Sequence, residues 1–282
     1  MSSEHFINRN MKFNSTEHNI LTIQTVQISP FRILMTALKD ILMETNITFQ
    51  PDGIHIINMD KSHTILVHLW LLSERFEFFE IKQSKIVIGV NMHHLFKVIS
   101  QIESEDTLTI CIEDEDYKEG IVTHLTIKFE NGSKNQCKSQ KLKLIEPEQE
   151  DLSYPDVKFS TIINFPSTDF HKIIRDVSSF SDKVEIKSVG NELIFKYCGQ
   201  IIKEAEIRRG ESDEMAFLLK QDSSKIIQGE FSIKNLNYFI KCTNLCSQIE
   251  IYLENDLPIV VKYKVASLGD LQLCLSQLPS SA

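Results

Sequence analysis

Apolar residues recur along this chain with two spacings that alternate in a fixed order. Apolar and polar positions alternate in residues 21–28, which predicts a strand, and residues 29–42 carry apolar side chains at helical spacing, which predicts a helix opened by Ser29-Pro30. Five strand-like runs, a second helix capped by Asn91 and three more strands follow. These predicted strands cover residues 47–50, 53–58, 64–72, 75–81, 85–90, 107–113, 121–129 and 137–145.

The same order returns after residue 156. A strand at 157–164 precedes a helix opened by Pro166-Ser167, and a helix capped by Ser232 separates five strands from the last three. These strands are predicted at 183–188, 192–198, 201–209, 214–220, 225–231, 248–253, 258–265 and 270–275. The repeat predicts an α+β protein of two similar domains, each with about nine strands and two helices.

The segment between the two halves, residues 144–156, has a different composition. It contains two prolines and five acidic residues without a sustained apolar period, which favours an extended, exposed connector. Leu152 and Tyr154 are two residues apart and would lie on one side of such a chain. We therefore divide the sequence into an N-terminal extension at 1–19, a first domain at 20–143, the connector at 144–156 and a second domain at 157–282.

Composition is typical of a globular protein, with 42% hydrophobic and 24% charged residues. The longest apolar stretch, Thr64–Leu72, is too short to span a bilayer, and the polar start shows no secretory signal, so we expect a soluble intracellular protein. The six cysteines form no C-x-x-C pair, and Cys242 and Cys246 lack a matching Cys or His pair nearby. We expect reduced thiols, no metal site and no cofactor.

Charge is distributed unevenly between the predicted helices and the rest of the chain. The formal net charge is -9, yet the four helix segments carry seven Lys or Arg against three Asp, a net +4. Lysines on helices outside a sheet are ordinary solvent-exposed residues when taken singly, but four helices with the same bias favour a shared surface that faces a polyanion. The seven basic residues are Arg32, Lys39, Lys97, Lys172, Arg175, Lys234 and Lys241.

An enzyme is the main alternative from another functional class. The run Glu113–Asp116 has the residue types of a two-metal nuclease site, but consecutive residues of an extended chain point in alternate directions, which favours solvated loop acids. His93 and His94 are adjacent and diverge on a helix. The sequence has no Gly-rich phosphate loop or nucleophile elbow, so we predict no catalytic residues.

Several motifs nevertheless resemble one family closely. Residues 21–276 resemble the proliferating cell nuclear antigen type of DNA sliding clamp. The matching segments are S-x-x-x-x-L-x-x-ALKD at Ser29–Asp40, MDKSH at Met59–His63, IGVN at Ile88–Asn91, FPSTDF at Phe165–Phe170, KNLNYFIKCTNL at Lys234–Leu245 and DLPIVVKYKVASLGDL at Asp256–Leu271. A checkpoint-type clamp paralogue that forms one subunit of a heteromeric ring shares this fold and remains the second alternative.

The resemblance implies a closed ring, usually a homotrimer, whose helices line a hole for double-stranded DNA. The seven basic residues align with positions that contact DNA phosphates irrespective of base sequence. The implied partners are a DNA polymerase, for which the ring is the processivity factor, a clamp loader, and replication and repair proteins that carry a clamp-binding peptide (PIP box). The implied location is the nucleus, or a cytoplasmic replication site for a viral protein.

Two further sites follow from the resemblance alone. The peptide-binding site aligns with Met59, His63, Leu66, Leu152, Tyr154, Pro258, Cys274 and Ser276. Cys274 stands where relatives often carry an aromatic residue, which bears on partner preference. At the subunit interface the strand at 137–143 of one subunit would pair with 201–209 of the next. The aligned interface residues are Cys137, Lys138, Lys141, Ile201, Glu204 and Ile207.

Overall fold

The computed structural model describes residues 18–148, 152, 157–220, 222 and 224–279, and all structural statements below concern these residues. The first half contains β1 (Asn19–Thr25), α1 (Ile28–Ile41), β2 (Glu44–Gln50), β3 (Gly53–Met59), β4 (Ile65–Leu72), β5 (Phe78–Ile81), β6 (Ile86–Asn91), α2 (Met92–Ile99), β7 (Thr107–Glu113), β8 (Tyr117–Lys118), β9 (Ile121–Val122), β10 (His124–Asn131) and β11 (Gln136–Lys143).

The second half repeats this order. It contains β12 (Thr161–Pro166), α3 (Ser167–Ser178), β13 (Lys183–Val189), β14 (Glu192–Tyr197), β15 (Ala205–Gly210), β16 (Ala216–Lys220), β17 (Ile227–Ser232), α4 (Ile233–Phe239), β18 (Gln248–Leu253), β19 (Ile259–Val265) and β20 (Gly269–Leu275). The predicted duplication is confirmed. The first half differs by the small hairpin β8–β9: β8 was not predicted, and the strand predicted at 121–129 combined β9 with β10.

Several predicted boundaries were wrong; the strand predicted at 157–164, for example, is β12 and begins at Thr161. The strand predicted from Ile201 begins at Ala205, because Gly199 donates its N–H to the carbonyl of Ile202 and closes a turn that uses these backbone groups. Helix α1 begins at Ile28 rather than Ser29, with Gln27 as its N-cap residue. Strand β1 begins at Asn19, inside the stretch assigned to the extension, because its N-terminal end still pairs with β7.

The sheets join the two halves. One nine-stranded sheet has the order β16-β12-β18-β19-β20-β4-β3-β2-β6, so β20 of the second half pairs with β4 of the first. The antiparallel register of this pair places Leu273 opposite Val67 and Leu275 opposite Ile65. A five-stranded sheet (β11-β10-β7-β1-β5) and a four-stranded sheet (β15-β14-β13-β17) complete the main layer.

The helices cover one face of these sheets. Each helix buries an apolar stripe, such as Leu34 and Leu38 on α1 or Phe170 and Ile174 on α3, against inward strand residues such as Tyr263. Polar helix residues are left on the opposite side of the layer, away from the sheets. Among the described residues, no helix is long and apolar enough to cross a membrane.

Of the four α-helices in the described chain, α2 alone has a side-chain cap at its N-terminus. Asn91 caps α2 as predicted, since its Oδ1 accepts a hydrogen bond from the N–H of His94 at 3.1 Å. Ser232 stands at the N-cap position of α4, but its side chain makes no capping bond. Helix α4 continues as a 3₁₀ turn from Ile240 to Leu245, and this turn carries Lys241.

Candidate nucleic-acid interface and partner surface

The basic residues predicted for DNA lie together on the sheet-free side of the helix layer. Arg32, Lys97, Lys172, Arg175, Lys234 and Lys241 are exposed and Lys39 is half-buried. Of these seven residues, only Lys39 and Lys241 form ion pairs within the described chain, and both pair with Asp40. The remaining five ammonium or guanidinium groups face solvent. The arrangement provides a basic surface on an otherwise acidic protein.

The three acidic residues of the helices differ in how far they oppose this positive charge. Asp169 on α3 is paired with Arg209 of β15 at 2.5 Å, and Asp40 is shared by two lysines. Asp176 is exposed and has no ion pair with a described residue. The sequence could not show the pairs of Asp169 with Arg209 and of Asp40 with Lys241, because these partners come from distant segments.

The outward face of the nine-stranded sheet carries a continuous apolar row. Strand register places its members side by side across six strands. We call these residues the apolar row: Met59, Leu66, Cys274, Val260, Tyr252 and Ile162. The next outward row along the strands is more polar, with His68, Gln272, Lys262 and Glu250 as neighbours.

Three of the predicted peptide-binding residues, Met59, Leu66 and Cys274, are therefore direct neighbours in the apolar row. Pro258 immediately precedes β19 and Ser276 immediately follows β20, so both lie at the same end of these strands. The sequence prediction missed Val260, although it is an apolar residue at an outward position of β19 and alternation could have identified it.

His63 lies in the turn between β3 and β4, where its φ is 54°. Asp60 builds this turn: its Oδ1 accepts hydrogen bonds from the N–H groups of Thr64 at 2.8 Å and Ile65 at 2.6 Å. Burial raises the pKa of the Asp60 carboxyl, but hydrogen bonds from Ser62 and these backbone groups outweigh it and hold the pKa below its usual range. The MDKSH motif is thus a structural turn beside the apolar row.

The start of the connector crosses the outward face of the first half. Ile145 pairs with Gly89 at the edge of β6, where any side chain on Gly89 would meet the carbonyl oxygen of Ile145. Beyond it, a groove of about 1030 Å³ lies between the connector, the β8–β9 hairpin and the outward side of β2, β3 and β6. Leu152 and Ile57 both line this groove. Tyr154 lies outside the described residues.

The C-terminal segment is held beside the apolar row, where β4 and β19 begin and β20 ends. The N–H of Ser276 donates to the carbonyl of Thr64 at 3.1 Å, and the N–H of Leu278 donates to Glu230 of β17 at 2.8 Å. The side chain of Gln277 donates to the carbonyl of Leu257 at 2.8 Å. These bonds fix the segment beside the turn that carries His63.

Among the described residues the three main sheets have six edge strands, and two of these, β11 and β15, carry residues predicted for the subunit interface. β11 ends the five-stranded sheet and β15 ends the four-stranded sheet. Cys137, Lys138 and Lys141 are exposed on β11, and Ile207 on β15 is half-buried. Ile201, predicted for the same interface, is 82% exposed but lies in the turn before β15. Unpaired edges of this kind are sites for association with another chain.

The acidic run is only partly the solvated loop that the sequence predicted. Asp116 is buried, and Lys141 of β11 contacts Glu113 at 3.2 Å, Glu115 at 2.8 Å and Asp116 at 2.7 Å. Burial of Asp116 is compensated by the ion pair of its Oδ2 with Lys141 and by the contact of its Oδ1 with the Nδ1 of His124 at 3.1 Å. The three carboxylates lie within 4.8 Å of one another, but the ammonium group of Lys141 occupies the space between them. These carboxylates raise the pKa of Lys141, Asp116 foremost.

Two properties of Cys242 and Cys246 argue against a metal site: their thiols are shielded from water, and the described chain places no other ligand residues beside them. Burial raises the pKa of both thiols, which opposes the thiolate form that a metal requires. Within the described chain, these two cysteines belong to no cluster that could hold a metal ion.

Comparison with known proteins adds independent evidence. Residues 20–151 match the family described as proliferating cell nuclear antigen, N-terminal domain, and residues 153–278 match its C-terminal domain. The chain is 30% identical over 261 residues to the "Probable DNA polymerase sliding clamp 1" of Paramecium bursaria Chlorella virus 1, which covers 92% of this chain and 97% of that relative.

A second viral protein is similar over a shorter part of its own length. The chain is 31% identical over 226 residues to the "Probable DNA polymerase sliding clamp" of Acanthamoeba polyphaga mimivirus, which covers 80% of this chain and 47% of that relative. The chain therefore spans about half the length of this relative.

Proposed function

Because this chain belongs to the proliferating cell nuclear antigen family and is a DNA sliding clamp, we propose that three copies form a closed ring around duplex DNA. The observation that carries this proposal is the basic helix layer on a protein of net charge -9. A ring with this layer inside would meet phosphates without reading bases, so it could move along DNA of any sequence.

The sheets support ring formation by repetition. The nine-stranded sheet inside one chain consists of two sets of strands. Five come from the second half (β16-β12-β18-β19-β20) and four from the first (β4-β3-β2-β6), and the two sets join where β20 pairs with β4. The separate sheets contain five and four strands in the equivalent order and end in β11 and β15. Pairing β11 of one subunit with β15 of the next would build a second nine-stranded sheet, and repeating this contact closes a ring.

The internal pair also predicts the register between subunits. In each half, one row of paired residues on the helix-facing side crosses four neighbouring strands, and the two rows are equivalent. The row of the first half is Ile23, Ile110, Ile127 and Gln140, and the row of the second half is Ile163, Ile251, Val261 and Leu273.

Leu273 on β20 lies opposite Val67 on β4. The residue equivalent to Leu273 is Gln140 on β11, and the residue equivalent to Val67 is Ala205 on β15. Gln140 of one subunit would therefore face Ala205 of the next. This register places Lys138 opposite Ile207 and Lys141 opposite Glu204. The second pair would bring opposite charges together across the interface.

The apolar row with Leu152 and Tyr154 is the proposed site for the PIP-box peptides of a DNA polymerase and of repair proteins. A line of apolar side chains beside an acidic connector fits an extended or helical segment that inserts a few apolar anchors. A clamp loader would use the same face to place the ring on DNA. We propose that the protein acts in the nucleus or at a viral replication site, and that it has no catalytic activity of its own.

The decisive test is retention on circular DNA. Purified protein would be loaded on a nicked circular plasmid by a matching clamp loader, and its mass would be measured alone and with DNA by sedimentation. We expect a trimer that stays on the circle at high salt and leaves when the plasmid is linearised. A monomer that binds circular and linear DNA equally would contradict the ring.

A further inference from the structure

We propose that Asp40 is a positioning residue of the DNA-facing surface: it holds Lys39 and Lys241 together across the boundary between the two halves and weakens their grip on phosphate. The inference rests on the proposed function, because it takes the helix layer as the surface that meets DNA. It concerns how strongly that surface binds, which the basic residues alone do not determine.

Both oxygens of the Asp40 carboxylate are in use. Oδ1 lies 2.6 Å from the Nζ of Lys39 on the same helix, and Oδ2 lies 2.5 Å from the Nζ of Lys241 in the 3₁₀ turn after α4. The side chain of Asp40 is 24% exposed, so the pair is partly shielded from water. Burial raises the pKa of Asp40, but the two lysines outweigh it and keep the carboxyl ionised.

Aromatic rings hold the two lysines in this arrangement. The Nζ of Lys39 lies 4.9 Å from the ring centre of Phe96 on α2, and the Nζ of Lys241 lies 5.3 Å from the ring centre of Tyr238 on α4. One carboxylate thus links α1, α2 and the α4 region. A DNA phosphate that approaches either lysine has to compete with a carboxylate already in contact.

The repeat provides an internal contrast. Counting along equivalent helices, Ser179 after α3 occupies the position of Asp40, and Ser100 after α2 occupies the position of Lys241. Both are exposed hydroxyl residues. An ionic link therefore holds the helix layer together inside the chain, whereas the equivalent positions at the proposed subunit boundary carry no charges.

Lys39 and Lys241 are paired with Asp40, whereas the other five basic residues of the helix layer have no ion pair with a described residue. This contrast separates two classes of phosphate ligand on one surface: free cations, such as Lys172 and Lys234, and the two cations restrained by Asp40. A surface built in this way binds DNA less tightly than its count of lysines suggests, which suits a protein that has to slide.

The test compares Asp40→Asn with Asp176→Asn, which makes the same charge change at an unpaired acid on the same surface. Binding of a fluorescent duplex would be measured between 50 and 200 mM salt. Because freed lysines release additional counterions, we expect the log–log salt slope of Asp40→Asn to steepen by about 2, or roughly a tenfold larger loss of affinity over this range. Asp176→Asn should keep the wild-type slope, and Asp40→Glu should restore it.

The outcomes are distinguishable. Equal slopes for Asp40→Asn and Asp176→Asn would show that Asp40 acts only through net charge and would overturn the inference, while the proposed function would stand. Absence of salt-dependent DNA binding by the wild-type protein would overturn both. If Asp40→Asn bound DNA more weakly than the wild type at low salt, the inference that Asp40 restrains the two lysines would also be wrong.

A second comparison does not depend on the stability of the Asp40 variants. Lys234→Met removes a free cation and should reduce the salt slope by about 0.9, whereas Lys241→Met removes a restrained cation and should reduce it less. Equal reductions would contradict the restraint. Sedimentation and thermal unfolding of each variant would establish that assembly and folding are intact.

Discussion

Asn46 on β2 and Glu148 in the connector exchange two hydrogen bonds although they are 102 residues apart. The Nδ2 of Asn46 donates to the carbonyl of Glu148 at 2.7 Å, and the N–H of Glu148 donates to the Oδ1 of Asn46 at 3.0 Å. A single amide side chain thus satisfies both backbone groups of one connector residue. It fixes the connector over the outward sheet face, next to the groove that Leu152 lines.

Asn46→Ala should weaken binding of a PIP-box peptide without unfolding the protein. The connector would lose two hydrogen bonds, each contributing about 1 kcal/mol, and would spend less time in the position that places Leu152. We expect a fall in affinity of about three- to tenfold by fluorescence anisotropy. Thr48→Ala, the next outward residue of β2, should leave affinity unchanged, and an equal loss there would contradict a specific role of Asn46.

Leu152→Ala and Tyr154→Ala should each weaken the same peptide by at least ~1 kcal/mol, because apolar anchors concentrate binding energy. Loaded rings of either variant should still slide on DNA, since the helix layer is unchanged. Measurement of both properties on the same preparations separates the two surfaces. A variant that keeps peptide affinity but no longer slides would reverse the assignment of inner and outer faces.

Ile207→Lys should dissociate the ring. Ile207 faces inward on the open edge strand β15, and its burial in each interface would contribute about 1.5–3 kcal/mol. Lys at this position would also face Lys138 in the proposed register. We expect monomers at micromolar concentration by sedimentation, whereas Ile121→Lys, the same change on the exposed β8–β9 hairpin, should remain trimeric. Trimers of Ile207→Lys would exclude β15 from the interface.

Lys172→Glu combined with Lys234→Glu should reduce stimulation of a DNA polymerase on long templates. Both lysines are exposed and unpaired within the described chain, so each substitution removes one phosphate contact and reduces the salt slope by about 0.9. The loss should be similar on templates of unrelated sequence. The control is Lys85→Glu with Lys118→Glu, which makes the same charge change away from the helices; an equal defect would point to net charge alone.

Glu254 should make stability depend on acid pH. Burial alone would raise its pKa, but Lys225 at 2.7 Å and the N–H of Ser160 lower it from 4.5 to about 2. Because the folded pKa is the lower one, this stabilisation is present above pH 4.5 and is lost as the pH falls toward 2. Since Lys225 is exposed, the effect is on the order of 1 kcal/mol.

The measurement is urea unfolding of the wild type and Glu254→Gln between pH 7 and pH 2. The variant should be less stable at pH 7 and should lose less stability on acidification. Parallel curves for the two proteins would show that Glu254 contributes nothing to the pH dependence. Glu105→Gln, at an exposed carboxylate that has no ion pair with a described residue, provides the matched control.

We expect no metal-dependent cleavage of DNA by the pure protein. A divalent cation between Glu113, Glu115 and Asp116 would have to displace the ammonium group of Lys141. Supercoiled plasmid incubated with Mg²⁺ or Mn²⁺ should stay intact. Nicking that disappears when residues 113–116 are all changed to Ala would overturn this prediction and support the nuclease alternative.

Patterns of short range were sufficient to predict the repeated order of strands and helices. Alternation and helical spacing are properties of neighbouring residues, and each half buries one face of every element, so the pattern records which face is inside. The bias of basic residues toward the helices could also be read directly, because it requires only knowing which segments are helical. The motif at Met59–His63 identified the turn beside the apolar row.

Tertiary structure decided how these elements meet. Sequence spacing contains no information on strand register between β4 and β20, so the line that joins Leu66, Cys274 and Val260 appeared only in the folded sheet. The same holds for the contact of Lys141 with three carboxylates and for Asp40 between Lys39 and Lys241. Such pairs join segments as far as 201 residues apart, and their geometry depends on the packing of whole layers rather than on local propensity.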